Sequence, residues 1–95
     1  MQDGSLVAQI NFIVGRVYSL KQDYDLSIYF HDKHLELARR YQDFQGQLQA
    51  YFILSQLHEK INQFDKAKQL LSLYKALTHE VRVLFSSRMF IELVR

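Results

Sequence analysis

The chain contains 95 residues, none of them cysteine or proline, and only three are glycine. Without cysteine it forms no disulfide, offers no thiolate nucleophile and has no sulfur ligand for a metal, so we expect an intracellular, cytoplasmic location. The scarcity of glycine and proline, together with 48% apolar and 14% aromatic residues, is typical of a helix-rich domain that forms a core.

Strong charge and long apolar runs are also missing. Twelve basic and ten acidic side chains give a net charge of +2, too small to create a long-range field for phosphate backbones or anionic lipids. No run approaches the roughly 18 apolar residues of a membrane span, and residues 1–5 do not resemble the start of a signal peptide. We therefore expect neither nucleic acid nor membrane as a partner.

Apolar residues recur at spacings of three and four along most of the chain, which predicts helices over residues 5–21, 24–40, 44–61 and from 64 to about 79. Asp23 is placed to cap the second helix. The polar pairs 22–23 and 62–63 form two-residue turns, so the flanking helices must be antiparallel. Residues 81–85 extend the fourth helix, after which Ser86 and Ser87 are expected to break it and cap a last one.

The chain matches itself at a shift of about 40 residues, a period typical of repeat proteins. Residues 12–15 lie over 52–55, residues 24–27 lie over 64–67, and after two shifts residues 90–94 match 10–14. Such a period predicts a solenoid. We expect a single domain, residues 1–95, with one repeat at about 8–41, a second at about 48–81, and a truncated third repeat or capping helix at about 86–95.

A stable stack normally needs about three repeats, because one helix pair cannot bury its apolar face alone. We therefore expect the chain to be part of a longer protein, or to complete its core by self-association through the terminal helix.

The residues of the two copies carry a family resemblance. Residues 14–18, 22–27 and 35–38, with 54–55 and 62–67 in the second copy, resemble the tetratricopeptide repeat. The long period and residues 28–38 are similar to the subclass found in G-protein-signalling modulators of the LGN/Pins type, Tonsoku-like proteins and rapsyn. The usual repeat has about 34 residues and often ends with proline, unlike this chain.

This resemblance implies an all-α solenoid of two antiparallel helix hairpins plus a terminal helix. It also implies that each hairpin is closed by small residues facing each other and by an aromatic plug. The small pairs are Gly15 with Ser27 and Ser55 with Ala67, and the plugs are Tyr24 and Phe64.

Proteins of this family are adaptors, so the resemblance implies a module that binds a partner protein or peptide on a concave face. The positions that match this face are Gln9, Phe12, Arg16, Ser19, Gln49, Phe52, Gln56, Glu59 and Lys60. The asparagines of the LGN-type groove are not matched, so its ligand set does not carry over to this chain. The clamp of chaperone-binding repeats is not matched either, so binding to a chaperone C-terminus is not expected. Alternatively, Phe12 and Phe52 only fill space between the first helices of adjacent repeats.

Two other functions stay open: a peptide-sensing regulatory domain that controls an attached effector, and a structural homo-oligomerisation module. A further repeat in the parent chain favours the adaptor, and a DNA-binding or enzymatic neighbour favours the regulator.

Chemical motifs are weak. His31 and His34 lie on one helical face, as in a metal or acid–base site, but Leu71 and Tyr74 replace them in the second copy, which favours packing. There is no paired carboxylate with catalytic spacing, no glycine-rich phosphate loop and no zinc motif. We expect a non-enzymatic protein with no catalytic residue, cofactor or metal.

Overall fold

The computed structural model describes residues 4–94, with the side chains of all of these except positions 90, 91, 93 and 94. Residues 1–3 and 95, which the predicted domain includes, lie outside the described residues. Over the described range there are four helices and no strand: α1 (Gly4–Leu20), α2 (Tyr24–Arg40), α3 (Phe44–Lys60) and α4 (Phe64–Val94). The all-α prediction is confirmed. The predicted bounds of the first three helices agree with the structure to within one residue at each end.

The helices begin at residues 4, 24, 44 and 64 and are joined by three turns of the same form. In each turn one residue adopts a left-handed conformation: Gln22 (φ 62°), Gln42 (φ 55°) and Asn62 (φ 64°). The N–H of the following residue donates to a carbonyl five positions earlier, at 2.8 to 2.9 Å. This is the Schellman arrangement that ends many helices. The turns are therefore three residues long and not two, and residues 41–43 form the same turn as the other two.

Side chains from these turns cap the next helices. Asp23 accepts a hydrogen bond from the Leu26 N–H at 3.3 Å, as predicted, and Asp43 accepts one from the Gly46 N–H at 2.9 Å. Each carboxylate satisfies a backbone donor that has no partner inside its helix.

Each helix packs on its neighbours in sequence: α1 on α2, α2 on α3 and α3 on α4. Among the described residues no other pair of helices is in contact. The largest buried cluster centres on α3, where Leu54 meets Leu35 of α2 and Leu70 of α4. Arg39 of α2 adds a hydrogen bond of 2.8 Å to the hydroxyl of Tyr51. Thus α3 is covered on two sides, whereas α1 and α4 are each covered on one.

Small residues bring α1 and α2 close together. The Ser27 hydroxyl is buried and donates a 2.8 Å hydrogen bond to the carbonyl oxygen of Gly15. This is the pairing expected for the first hairpin. In the second hairpin Ser55 and Ala67 are also buried, but the Ser55 hydroxyl donates to Phe52 in its own helix.

The predicted aromatic plugs differ from each other. Tyr24 is half-buried, but Phe64 is mostly exposed, so the expectation that it closes the second hairpin is wrong. Phe64 begins α4, and among residues 4–94 no further helix packs on α4 to cover it.

The predicted break at Ser86 and Ser87 does not occur, because α4 is continuous from Phe64 to Val94. Serine costs only about 0.5 kcal/mol relative to alanine inside a helix, and neither glycine nor proline follows to stop it. The terminal segment is therefore an extension of α4 and not a separate helix.

Candidate functional site

Seven of the nine predicted binding residues line a groove between α1 and α3. The backbones of these two helices do not approach each other closely, and two recesses open between them, with volumes of about 610 and 180 Å³. Both have walls from α1 and α3. The groove exists because α2 packs against both helices and holds them apart.

The larger recess lies at the C-terminal ends of α1 and α3. Its lining combines an apolar floor with amide, hydroxyl and charged groups: Ser19, Ile53, Gln56, Leu57, Glu59 and Lys60. Glu59 and Lys60 offer an acceptor and a donor of opposite charge. Four of the predicted binding residues line this recess.

The smaller recess lies near the N-terminal ends of the same helices and is rich in amides. Its lining includes Gln9, Phe12, His34, Asp43, Gln45 and Gln49. A glutamine side chain supplies both a carbonyl acceptor and two N–H donors, so this lining can pair with either half of a peptide bond. Three more predicted residues are found here.

The two remaining predicted residues lie outside the recesses. The Arg16 guanidinium is 6.0 Å from the centre of the Phe12 ring, at the outer limit of a cation–π contact. Phe52 is partly exposed and packs at 5.6 Å against Tyr74 of α4. The structure therefore places Arg16 beside the smaller recess and Phe52 at the contact between α3 and α4.

Phe12 and Phe52, 40 residues apart, both contact an aromatic ring of the next helix. Phe12 is half-buried and contacts His34 of α2 edge-on at 5.3 Å, whereas Phe52 is more exposed and meets Tyr74 of α4 in a tilted contact at 5.6 Å. Each ring thus packs on the helix that follows its own. Each therefore fills space within its own hairpin while keeping part of its surface exposed.

Two buried histidines lie behind Phe12. The His31 ring is fully buried, and neither of its nitrogens has a hydrogen-bond partner among the described residues. Burial lowers its pKa to about 4, helped by electrostatic repulsion from His34 in its protonated form and from Arg16. Burial also lowers the pKa of His34, opposed by the nearby Asp43 carboxylate. Both imidazoles are neutral at pH 7 and pack against Phe12 at 5.3 to 5.6 Å.

No group of three or more His, Cys, Asp or Glu side chains among the described residues is placed to hold a metal ion. The hydrogen-bonding capacity of the site comes instead from amides, hydroxyls and a few charged groups in the two recesses.

Several lining residues are absent from the sequence-based prediction: His34 as part of the groove, Asp43, Gln45, Ile53 and Leu57. Gln45 and Gln49 are four residues apart, a spacing that places both on one helical face. That spacing could have identified Gln45. Asp43 lines the smaller recess because, as the N-cap of α3, it lies at the N-terminal end of that helix.

None of the helices described between residues 4 and 94 combines the length and apolar character needed to cross a bilayer. Comparison with models of known protein families finds no match for the chain, and no curated protein or solved structure matches it either.

Proposed function

We propose that this chain is a non-enzymatic interaction module of the tetratricopeptide type that binds a partner peptide in the groove between α1 and α3. The observation that carries the proposal is the convergence of the predicted residues. All of them except Arg16 and Phe52 line the two recesses. They come from two helices in different repeats whose backbones do not approach each other closely.

The solenoid part of the proposal is supported by the regular geometry. The helices begin at equal intervals, the turns repeat one hydrogen-bond pattern, and each helix packs only on its neighbours in the described range. Quasi-one-dimensional packing of this kind is what repeat proteins use to present an extended binding surface.

The groove fits an extended peptide. A helix the length of α1 spans about 25 Å, and an extended chain rises about 3.3 Å per residue, so the groove accommodates roughly seven residues. Gln9 and Gln49 pair with the peptide backbone at one end. Glu59 and Lys60 select charged side chains at the other end, and the exposed part of Phe12 supplies an apolar contact.

Selection from a random peptide display library against the whole chain tests the proposal. Selected peptides are labelled, and their affinity is measured by fluorescence anisotropy. We expect Gln9→Lys combined with Gln49→Lys to weaken binding at least about tenfold, because both amides that would pair with the peptide backbone are replaced by ammonium groups that only donate hydrogen bonds. Circular dichroism and thermal melts establish that the variant is folded.

The matched control is Glu36→Lys, an exposed change on α2 outside both recesses. Arg16→Ala with Phe52→Ala then shows how far the site extends beyond the recesses, and we expect this pair to reduce binding as well. Peptides that bind wild type and the Gln9, Gln49 variant equally, or a library that yields no saturable binder, would contradict the proposed function.

A further inference from the structure

α1 carries a continuous apolar stripe on the side that faces away from α2. Its members are large aliphatic residues spaced three or four apart, all exposed: Leu6, Ile10, Ile13, Val17 and Leu20. This stripe lies opposite Gly15, through which α1 packs on α2. It is a separate surface from the peptide groove.

The second repeat shows what such a face does. Moving the stripe by one repeat places Ile10 on Ala50 and Val17 on Leu57. Ile10 and Val17 are 51% and 44% exposed, whereas Ala50 and Leu57 are 0% and 4% exposed. The corresponding face of α3 is covered by α2, whose Ala38 carbonyl accepts a hydrogen bond from Gln47. The face that α3 buries against α2 is therefore left uncovered on α1.

α4 has the second uncovered apolar surface. It has 31 residues against 17 in α3, so its last part, residues 81–94, extends past the only helix on which α4 packs in the described range. On this α4 extension Val83, Leu84, Phe85 and Met89 are exposed, Phe85 by 63%. The extension is about 21 Å long at about 1.5 Å per residue, the same length as the stripe from Leu6 to Leu20.

We propose that the α1 stripe of one copy of this chain packs against the α4 extension of a second copy. α1 and α4 of one chain are not in contact over the described residues, so the two surfaces meet only between chains. A reciprocal exchange in a two-fold dimer covers both apolar surfaces of both copies. Pairing of two α1 stripes or of two α4 extensions leaves one apolar surface bare on each copy.

Charge also favours this pairing over the pairing of two stripes. α1 carries Arg16 and no acidic residue, so two α1 helices bring together cations with no anion between them. The α4 extension carries Arg82, Arg88 and Glu92, and Glu80 immediately precedes it, so this surface contains carboxylates that α1 lacks. Pairing a stripe with an extension therefore brings α1 against a helix that carries anions as well as cations, which pairing two stripes does not.

The absence of cysteine allows a direct test on the whole chain. Ile13→Cys is made in one tagged preparation and Phe85→Cys in another; both side chains are exposed, so neither change alters the core. The two are mixed at equal concentration and oxidised mildly. We expect the mixed disulfide to exceed either homodisulfide several-fold. Mostly Ile13→Cys or mostly Phe85→Cys homodisulfides would overturn the proposal in favour of like-to-like pairing.

Sedimentation velocity provides the second measurement. We expect wild type at about 100 µM to sediment as a dimer, and Ile10→Glu with Val17→Glu to weaken self-association at least about tenfold, because charge is buried in an apolar contact. Phe85→Glu should do the same.

The matched control is Leu26→Glu, an exposed change on α2, which should leave the dimer intact. A monomeric wild type, or equal loss in the control, would also overturn the proposal. Because none of these variants changes a groove residue, peptide binding is scored separately.

Discussion

The imidazole of His31 lies directly against Gly15. A Cβ at position 15 would be 2.7 Å from both Cδ2 and Nε2 of the His31 ring, closer than carbon atoms approach without repulsion. The ring is fully buried, so it cannot swing into solvent without leaving its site. The close approach of α1 and α2 therefore depends on a residue without a side chain at this position.

Gly15→Ala should lower the free energy of unfolding by roughly 2 kcal/mol, because the added methyl group overpacks the contact with His31. In a helix with no close neighbour the same change would raise the free energy of unfolding by about 1 kcal/mol. A decrease would therefore show that the added methyl group is in steric conflict with His31. Urea unfolding followed by circular dichroism measures it. In a His31→Ala background the contact is gone, and Gly15→Ala should become neutral or stabilising. An equal cost in both backgrounds would show that His31 is not the obstacle.

Stability should depend on pH through His31. Its pKa is about 4 in the folded chain and about 6.5 in the unfolded chain. The unfolded state therefore binds more protons between these values, and the free energy of unfolding falls as pH drops from about 6.5 to 4. The loss attributable to His31 approaches ~3 kcal/mol. Above about pH 6.5 His31 contributes no pH dependence.

His31→Leu, which introduces the residue found at position 71 of the second copy, should flatten this part of the pH profile. It also removes two buried nitrogens that have no partner among the described residues, so the variant should be more stable at about pH 5. Urea unfolding at a series of pH values measures both effects. His79→Leu, at an exposed position, is the control. If the profile of His31→Leu matches that of wild type, His31 is not the titrating group.

Gln42→Gly should stabilise the chain by about 1 kcal/mol, because its left-handed conformation costs an ordinary L-residue about that much and costs glycine almost nothing. The φ of Gln42 is 55°. Asn62→Gly should give a smaller gain, because asparagine tolerates this conformation better than glutamine. Thermal melts of the two variants provide the comparison. Destabilisation by Gln42→Gly would contradict the turn geometry.

Asp43→Ala should destabilise by about 1 kcal/mol through loss of the N-cap of α3. Asp23→Ala should cost less, because the hydrogen bond to Asp23 is longer, 3.3 Å against 2.9 Å, and more exposed. Asp43→Asn keeps an oxygen acceptor and should retain most of the stability. Chemical denaturation ranks the three variants, and a larger cost for Asp23→Ala would reverse the expected order.

Much of the fold follows from local sequence signals. The positions of the first three helices are set by apolar spacing and by polar turn residues such as Asp23, and both act over a few residues. The continuation of α4 through Ser86 cannot be predicted in this way. Serine is compatible with an N-cap and with a helix interior, and the choice depends on the residues before and after it.

The groove is only partly predictable. Gln9 and Gln49 can be identified because equivalent positions in two repeats share one face. Asp43 and His34 enter the smaller recess through packing of α2 between α1 and α3, which no local pattern encodes. The burial of His31 without a hydrogen-bond partner in the described part of the chain likewise results from the close approach at Gly15 and not from its own sequence neighbours.

The equal spacing of the helix starts, with three turns that share one geometry, has a consequence for how such a chain can be lengthened. Inserting a single helix with its turn would reverse the chain direction and place a groove-forming helix where α2 or α4 belongs. Inserting two such units restores both direction and face. A chain with an inserted copy of residues 24–63 should therefore fold with a second groove of the same kind. A chain with an inserted copy of residues 24–43 alone should not, because its later helices would run in the wrong direction and present the wrong face to the groove.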